Sequence, residues 1–288
     1  MSDSIYILGA DIGGSHITVG LVESKSWTII PTTIVRERLD SQAEAKRVLQ
    51  SWAQAILKSA GSTFDKTNFR LGLAIPGPFD YSHGISGIKG QNKYDQLFGL
   101  NIKQLLAKEL AIQTHQLCFI NDAAAFLQGE VMTGNDAGGK TAIGITLGTG
   151  FGSAVWKEGQ FAEDAALWCA PFRSGITEDY ISSSSLVLRY NQNSQHHVEN
   201  VKELVDRADN SNDIRDLFNE FGQTIGEFLT LQYHRKPFDT AIIGGSIAKA
   251  WPLFIEGITS RSPHINIRQS ILGEKAAIVG AASLFKTF

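Results

Sequence analysis

Three glycine-rich turns, each placed directly after a run of apolar residues, are the features of this sequence best suited to chemistry. They are Gly13-Gly14-Ser15, Gly148-Thr149-Gly150-Phe151-Gly152 and Gly244-Gly245-Ser246. Glycine lets backbone amides approach an anion closely, and a neighbouring hydroxyl can donate a hydrogen bond to a phosphate oxygen. A plain tight turn explains one pair of glycines, but three such turns at strand ends favour nucleotide binding. None fits the Walker sequence or the dinucleotide-binding fingerprint.

Two aspartates also stand at the ends of apolar segments. Asp11 directly precedes the first glycine turn, and Asp122 follows Asn121 where a helix is predicted to begin. Asp122 could simply cap that helix. Beside phosphate-binding turns, however, the two carboxylates suit different tasks. Asp11 could hold hydrated Mg²⁺, and Asp122 could accept the proton of an attacking hydroxyl.

The elements that must position these residues alternate between strands and helices. Apolar segments predict strands at 5–11, 17–22, 27–35, 69–75, 117–120, 142–155 (two strands around a turn) and 240–243. Periodic apolar residues predict helices after residue 44 and at 101–110, 123–131 and 214–233. This alternation indicates the α/β class. The strand–turn–strand plan of the N-terminus recurs near residue 144, which suggests two similar domains in tandem.

Composition excludes several classes of function. A length of 288 residues corresponds to about two domains. The net charge of −3 lacks the basic excess of a nucleic-acid binder, so no nucleic-acid partner is expected. No apolar run reaches the ~18 residues of a membrane span, so no membrane partner is expected either. The two cysteines, Cys118 and Cys169, are far apart, which excludes a disulfide framework and favours a cytoplasmic location.

Five motifs occur in a defined order along essentially the whole chain. They are Asp11–Thr18, Ile75–Pro78, Ile120–Ala123, Leu147–Gly152 and Ile243–Ala248. Together they resemble the ROK family of sugar kinases and sugar-responsive repressors. The resemblance implies an actin-like, hexokinase-type (ribonuclease H-like) fold, in which two α/β domains are separated by a central cleft. It divides the chain into domains at 1–122 and 123–274, with a C-terminal helix at about 275–288 that packs back on the first domain.

The resemblance also implies an activity, namely ATP-dependent phosphorylation of a sugar hydroxyl by a glucokinase-like hexose or amino-sugar kinase. Its ligands would be a sugar, ATP and Mg²⁺, and a homodimer is an open alternative for its assembly. By this resemblance Asp122 is the catalytic base, and Asp11 holds Mg²⁺ through water. Sugar contacts fall to Asn121, Glu178 and Asn92, the last weighed against a plain surface loop. The residues implied to contact ATP are those of the glycine turns and Thr18 of the second predicted strand: Gly13, Gly14, Ser15, Thr18, Thr149, Gly150, Gly244 and Gly245.

One segment departs from the family pattern. Ala166 and Cys169 stand where family members carry a glutamate and a histidine that contact sugar. The cysteine-rich zinc loop that normally follows is missing, so no structural zinc is expected. Glu178 matches a retained family glutamate, and we expect it to be the main polar anchor for the sugar. The alternative is a surface ion pair with one of two arginines, Arg173 or Arg189.

Two other functions remain open on the sequence. A non-catalytic sugar sensor or regulator is one, although family repressors carry a DNA-binding helix-turn-helix for which the ten residues before Asp11 leave no room. The presence of both Asp11 and Asp122 also favours an enzyme. The second is a phosphotransferase that acts on a non-sugar alcohol, which the departures at Ala166 and Cys169 keep open.

Overall fold

The computed structural model describes residues 6–286 as alternating strands and helices. The strands are β1 Tyr6–Ile12, β2 His16–Glu23, β3 Thr28–Ile29, β4 Val35–Arg38, β5 Leu71–Ile75, β6 Phe79–Asp80, β7 Ile85–Ser86, β8 Leu117–Asn121, β9 Thr141–Leu147, β10 Phe151–Lys157, β11 Glu163–Asp164, β12 Pro171–Phe172, β13 Gly175–Ile176, β14 Thr240–Gly244 and β15 Asn266–Gln269. The helices are α1 Ala45–Ala60, α2 Ile102–Leu110, α3 Asp122–Met132, α4 Ser183–Asn193, α5 Val201–Arg207, α6 Asn212–Arg235, α7 Trp251–Arg261 and α8 Ala276–Ala282. The predicted α/β class is confirmed.

The first large sheet has the strand order β3-β2-β1-β5-β8, and β4 also pairs with β2. β1 and β2 form an antiparallel hairpin, while β1, β5 and β8 run parallel. Alternate residues of β1 are buried on opposite faces of this sheet. Leu8 joins the core formed with Trp52 and Ile56 of α1, whereas Ile7 packs with Ile278 of α8. Helices therefore cover both faces, as parallel strands require.

The second large sheet repeats this plan, with the order β11-β10-β9-β14-β15. β9 and β10 form an antiparallel hairpin, and β14 and β15 continue the sheet in parallel with β9. Its core includes large apolar side chains from α6, such as Phe218 and Phe228. Parallel strands end at the same edge of a sheet. In both sheets, the glycine turn of the hairpin therefore lies at the edge where the neighbouring parallel strands also end.

The described residues divide into two compact units. The first contains the chain up to Gly134, residues 161–163, and the chain from Glu274 onward; the second contains residues 135–160 and 164–273. Helix α3 belongs to the first unit because it packs along α8, so the division lies twelve residues beyond the predicted residue 122. The helix predicted at about 275–288 is shorter over the described residues: α8 ends at Ala282 and a 3-10 turn follows at Ser283–Phe285. Residues 287 and 288 of that prediction lie outside the described residues.

The segment predicted as one strand at 27–35 is interrupted. β3 ends at Ile29, a 3-10 turn occupies Pro31–Thr33, and β4 begins at Val35. Proline has no backbone N–H to donate to a sheet, and its fixed φ favours the start of a turn. The Thr33 hydroxyl stabilises this turn by donating to the Ile30 carbonyl at 2.7 Å.

Helix α8 approaches its neighbours through glycines. A Cβ atom on Gly280 would overlap the backbone of Ala125 in α3, and one on Gly72 in β5 would overlap the backbone of Ala281. We expect Gly280→Ala to lower the free energy of unfolding by about 1–3 kcal/mol, because overpacking forces the backbones apart. Urea unfolding followed by circular dichroism measures this change. An unchanged midpoint would show that α8 does not contact α3 so closely.

Candidate active site

The first glycine turn joins β1 to β2 and exposes its backbone. The Gly13 amide donates to the His16 carbonyl at 2.9 Å, which closes the turn, and the Ser15 carbonyl accepts from Leu39 at 2.8 Å. Gly13, Gly14 and Ser15 are all exposed. The Ser15 hydroxyl is hydrogen-bonded to Nδ1 of His16 at 2.9 Å. The turn therefore offers backbone amides and a hydroxyl to an anion.

Asp11 lies on the same face of the sheet as Thr18 and Arg36, because these residues are directly opposite one another on β1, β2 and β4. Burial, and then the negative charge of Asp122, raise the pKa of Asp11 to about 7. Arg36 lowers this pKa, but its guanidinium is also bound to Glu274 at 2.7 Å. A carboxylate that burial and a second carboxylate both destabilise gains from a bound cation. This donor set fits Mg²⁺, which commonly uses one or two carboxylates together with waters and phosphates.

Asn121 and Asp122 stand at the junction of β8 and α3. Oδ1 of Asn121 accepts hydrogen bonds from the amides of Ala123 at 2.9 Å and Ala124 at 3.1 Å, so Asn121 caps the helix. Its Nδ2 donates to the Tyr81 hydroxyl at 3.3 Å, and the side chain is buried. Asp122 is exposed, although its Oδ1 also accepts from the Ala123 amide at 2.9 Å. The capping role considered for Asp122 thus belongs mainly to Asn121.

The register of the first sheet brings these residues to one edge. Asp11 lies beside Ala74 of β5, and Ala74 lies beside Ile120 of β8. Asp11, the turn after it, and the Asn121–Asp122 pair are therefore at the carboxyl ends of two parallel strands, β1 and β8, which are separated by β5. This is the edge where ligands bind in open α/β sheets.

The segment that contains Asn92 is held against the first turn. The Tyr94 hydroxyl donates to the Gly13 carbonyl at 2.6 Å, and the Tyr94 amide donates to the Ser41 carbonyl at 2.7 Å. Burial raises the pKa of Tyr94, so its hydroxyl remains a donor. Asn92 itself is exposed. The sequence did not predict the contact between Tyr94 and Gly13, because 81 positions separate the two residues.

The second glycine turn is braced by the start of α4. The amide of Ser183 donates to the Gly148 carbonyl at 2.9 Å, and the Ser184 hydroxyl donates to the Thr149 carbonyl at 3.2 Å. Thr149 and Gly150 are exposed. The partial positive charge of a helix N-terminus favours an anion here. The serine contacts were not predicted; their sequence signal was a run of four serines, which indicates only a helix start.

The third glycine turn lies beside the second in the same unit. Gly244 ends β14 opposite Thr146, and β14 runs parallel to β9, so both turns are at one edge of the sheet. Gly245 has φ of +91°, and a Cβ there would overlap the backbone of Leu147. Only glycine fits this position. Its backbone, and that of the exposed Ser246, are accessible to a ligand.

Glu178 is bound to the second turn. Its Oε2 accepts a hydrogen bond from the Phe151 amide at 2.7 Å, and the same oxygen is 2.6 Å from the place a Cβ would occupy on Gly150. One carboxylate oxygen is thus committed to the hairpin, which the sequence did not predict. The arginines considered as surface partners pair with other glutamates: Arg173 with Glu227, and Arg189 with Glu220.

The segment with Ala166 and Cys169 is hydrogen-bonded to β10 and to Thr177, which directly precedes Glu178. The amide of Leu167 donates to the Ser153 hydroxyl at 2.9 Å, and the Thr177 amide donates to the Ala170 carbonyl at 3.0 Å. Cys169 is exposed, and both cysteines are unpaired thiols. The segment therefore lies next to Glu178, but it presents no carboxylate or imidazole at these two positions.

Within residues 6–286, no group of three or more His, Cys, Asp or Glu side chains is arranged to hold a metal ion. Over the same residues, none of the helices combines the length and the hydrophobicity needed to cross a membrane.

Comparison with known protein families identifies the chain. The model of the ROK family matches residues 7–166, which is more than half of the sequence. The chain belongs to the ROK family. The matched range includes Asp11, Asp122 and Thr149, whereas Glu178 and Gly245 lie beyond it.

Individual relatives of this ROK protein include a kinase and a regulator. A glucokinase from Thermotoga maritima is 29% identical over 156 residues, which are 54% of this chain and 45% of the glucokinase. The alignment thus spans less than half of that relative's length. A ROK family glucokinase from Streptomyces griseus, solved with glucose and AMPPNP, superposes with a TM-score of 0.77 at 21% identity, over 97% of this chain and 98% of that chain.

A third relative is a ROK family transcriptional regulator, a homologue of the E. coli MLC protein. It superposes with a TM-score of 0.73 at 14% identity, over 96% of this chain and 76% of that chain. These likenesses confirm the predicted actin-like, hexokinase-type fold. Because the same fold occurs in kinases and in a regulator, function must be argued from the residues of the site.

Proposed function

We propose that this ROK protein is a glucokinase-like hexose or amino-sugar kinase, which transfers the terminal phosphoryl group of ATP to a sugar hydroxyl. The observation that carries the proposal is the pair Asp11 and Asp122 at one sheet edge. Asn121 provides most of the cap of α3, and the Asp122 carboxylate is exposed at the same end of the sheet. A sensor that only binds sugar has no need of this acidic pair.

In the proposed reaction, Asp122 accepts the proton of the attacking sugar hydroxyl. Phosphoryl transfer depends mainly on positioning and on stabilisation of negative charge. Exposed amides of the three glycine turns would bind the phosphates and the adenosine side of ATP, and the Thr149 hydroxyl would donate to a phosphate oxygen. Thr18, which is opposite Asp11 on the neighbouring strand, would support the first turn.

Asp11 would hold Mg²⁺ through water. Its position at the end of β1, directly before the first glycine turn, supports this role, and burial disfavours its ionised form when no cation is bound. When bound, the ion would neutralise charge on the phosphate oxygens. The protein's own part is to keep a carboxylate at the end of β1, beside the first turn.

Sugar recognition is proposed to rest on three side chains of different character. Glu178 would accept hydrogen bonds from sugar hydroxyls through the carboxylate oxygen that Phe151 does not use. Asn121 would contribute only its Nδ2, because its Oδ1 caps α3. Asn92 is exposed beside the first turn and would donate or accept as the sugar requires.

The decisive test is ADP release measured across a panel of hexoses, amino sugars and non-sugar alcohols. We expect ADP release above the water background with at least one hexose or amino sugar. Release with non-sugar alcohols alone would identify a different phosphotransferase. Sugar binding by calorimetry without ADP release would favour the second candidate, a sugar sensor or regulator; a ROK family transcriptional regulator shares this fold.

Chelation separates a catalytic metal from a structural one. The segment that replaces the family's zinc loop contains a single cysteine, Cys169. We therefore expect EDTA to leave the melting temperature unchanged without nucleotide, yet to stop ADP release until excess Mg²⁺ is added. Differential scanning fluorimetry and the ADP assay measure the two effects. A large fall in melting temperature would reveal a structural metal.

A further inference from the structure

We propose that Lys93 binds the terminal phosphoryl group of the nucleotide at the first glycine turn. This inference deepens the proposed function and rests on its assignment of that turn to phosphate. It adds a cationic side chain to a turn that otherwise offers backbone amides and one hydroxyl.

The contact that carries the inference joins Lys93 to Gly14. A Cβ placed on Gly14 would be 3.5 Å from Cδ of Lys93 and 4.0 Å from its Cβ. The aliphatic part of the half-buried lysine therefore lies alongside the turn, and Nζ is only two bonds beyond Cδ. Lysine commonly buries its methylenes in this way while its ammonium remains accessible.

The backbone around Lys93 is held in an unusual conformation. Asn92 has φ of +55° and Tyr94 has φ of +58°, a region that residues other than glycine seldom adopt. Hydrogen bonds hold the segment in place: the Tyr94 hydroxyl to Gly13 at 2.6 Å, and Nε2 of Gln42 to the Asn92 carbonyl at 3.3 Å. Such strain is concentrated at functional sites, where it fixes a side chain for its task.

The charge of Lys93 is available to a ligand. Among residues 6–286, Lys93 forms no ion pair with a carboxylate. Two other cations, on β4 and α1, are already paired with carboxylates: Arg36 with Glu274, and Lys58 with Glu37. An ammonium beside exposed glycine amides is a typical arrangement for binding a phosphate oxygen.

The experiment compares nucleotides that differ in their phosphates. The affinities of Mg²⁺-AMPPNP and of AMP are measured by calorimetry for the wild type, Lys93→Met and Lys93→Gln. Lys89→Met is the matched control, since Lys89 is an exposed lysine near the same segment that lies 4.8 Å from the Phe98 ring. Lys93→Arg tests whether positive charge alone restores binding. Melting temperatures show that each variant is folded.

We expect Lys93→Met and Lys93→Gln to bind AMPPNP about 10- to 100-fold more weakly, the usual effect of losing one charge-assisted hydrogen bond. AMP affinity should not change, Lys93→Arg should recover part of the loss, and Lys89→Met should match the wild type. Unchanged AMPPNP affinity in both Lys93 variants, or an equal loss for AMP, would overturn the proposal. So would a wild type that binds AMPPNP no more tightly than AMP.

The result for Lys93 can be distinguished from the result for the proposed kinase function. A wild type that phosphorylates no sugar refutes the kinase proposal, yet a selective loss of AMPPNP binding in the Lys93 variants would still support the phosphate contact. An active kinase whose Lys93 variants bind AMPPNP normally would retain the function and reject the role of Lys93.

Discussion

Replacing Asp122 by asparagine is expected to lower kcat by about 10²–10⁴-fold, the usual effect of losing a general base. Binding of sugar and ATP should survive, because asparagine has nearly the same shape and Asn121 carries the cap of α3. Steady-state kinetics with the sugar found in the ADP panel measures kcat, and calorimetry measures both affinities. The variant should melt close to the wild type, since asparagine Oδ1 can still accept from the Ala123 amide.

The matched control is Asp65→Asn, which makes the same change at an exposed aspartate of the same unit. Among the described residues, the Asp65 side chain accepts hydrogen bonds from its own loop alone, at Thr67 and Asn68, so its replacement should leave kcat unchanged. Kinetics of Asp122→Asn like those of the wild type would reject Asp122 as the base. A fall in sugar affinity with normal kcat would instead make Asp122 a binding residue.

Replacing Glu178 by alanine is expected to weaken sugar binding by about one to two decades, because a buried hydrogen bond to a charged acceptor contributes about 1.5–3 kcal/mol. The structure adds a second consequence. The buried Phe151 loses the acceptor of its amide, so the second turn should loosen and the KM for ATP should rise as well. Calorimetry with sugar and initial rates at varied ATP measure the two effects.

Glu178→Gln separates these effects because glutamine can still accept from the Phe151 amide but carries no charge. We expect it to keep the wild-type KM for ATP and to lose part of the sugar affinity. Glu227→Ala is the control: it removes an exposed carboxylate paired with Arg173, and such pairs contribute little. Unchanged sugar affinity in Glu178→Ala would indicate that Asn92 and Asn121, rather than Glu178, recognise the sugar. A rise in the KM for ATP alone would make Glu178 a support for the hairpin.

Local patterns allowed much of the fold to be predicted from sequence. The hairpins around residues 13 and 148 were predicted because apolar runs and glycine turns are adjacent in the chain. The strand at 27–35 was the exception, since Pro31 interrupts it with a 3-10 turn that the apolar pattern does not reveal. The boundary between the units also depended on a distant contact, that of α3 with α8.

The glycine turns, the strand-end aspartates and the family could all be predicted from local sequence, because each depends on residues that are neighbours in the chain. Which atoms those residues use depends on the packing of distant elements. Only the fold shows that Asn121 rather than Asp122 carries most of the cap, and that Glu178 binds the Phe151 amide instead of an arginine. It alone brings Lys93 to Gly14, which lies 79 positions earlier. Contacts between distant residues arise when strands pair and helices pack, and no pattern of neighbouring residues specifies them.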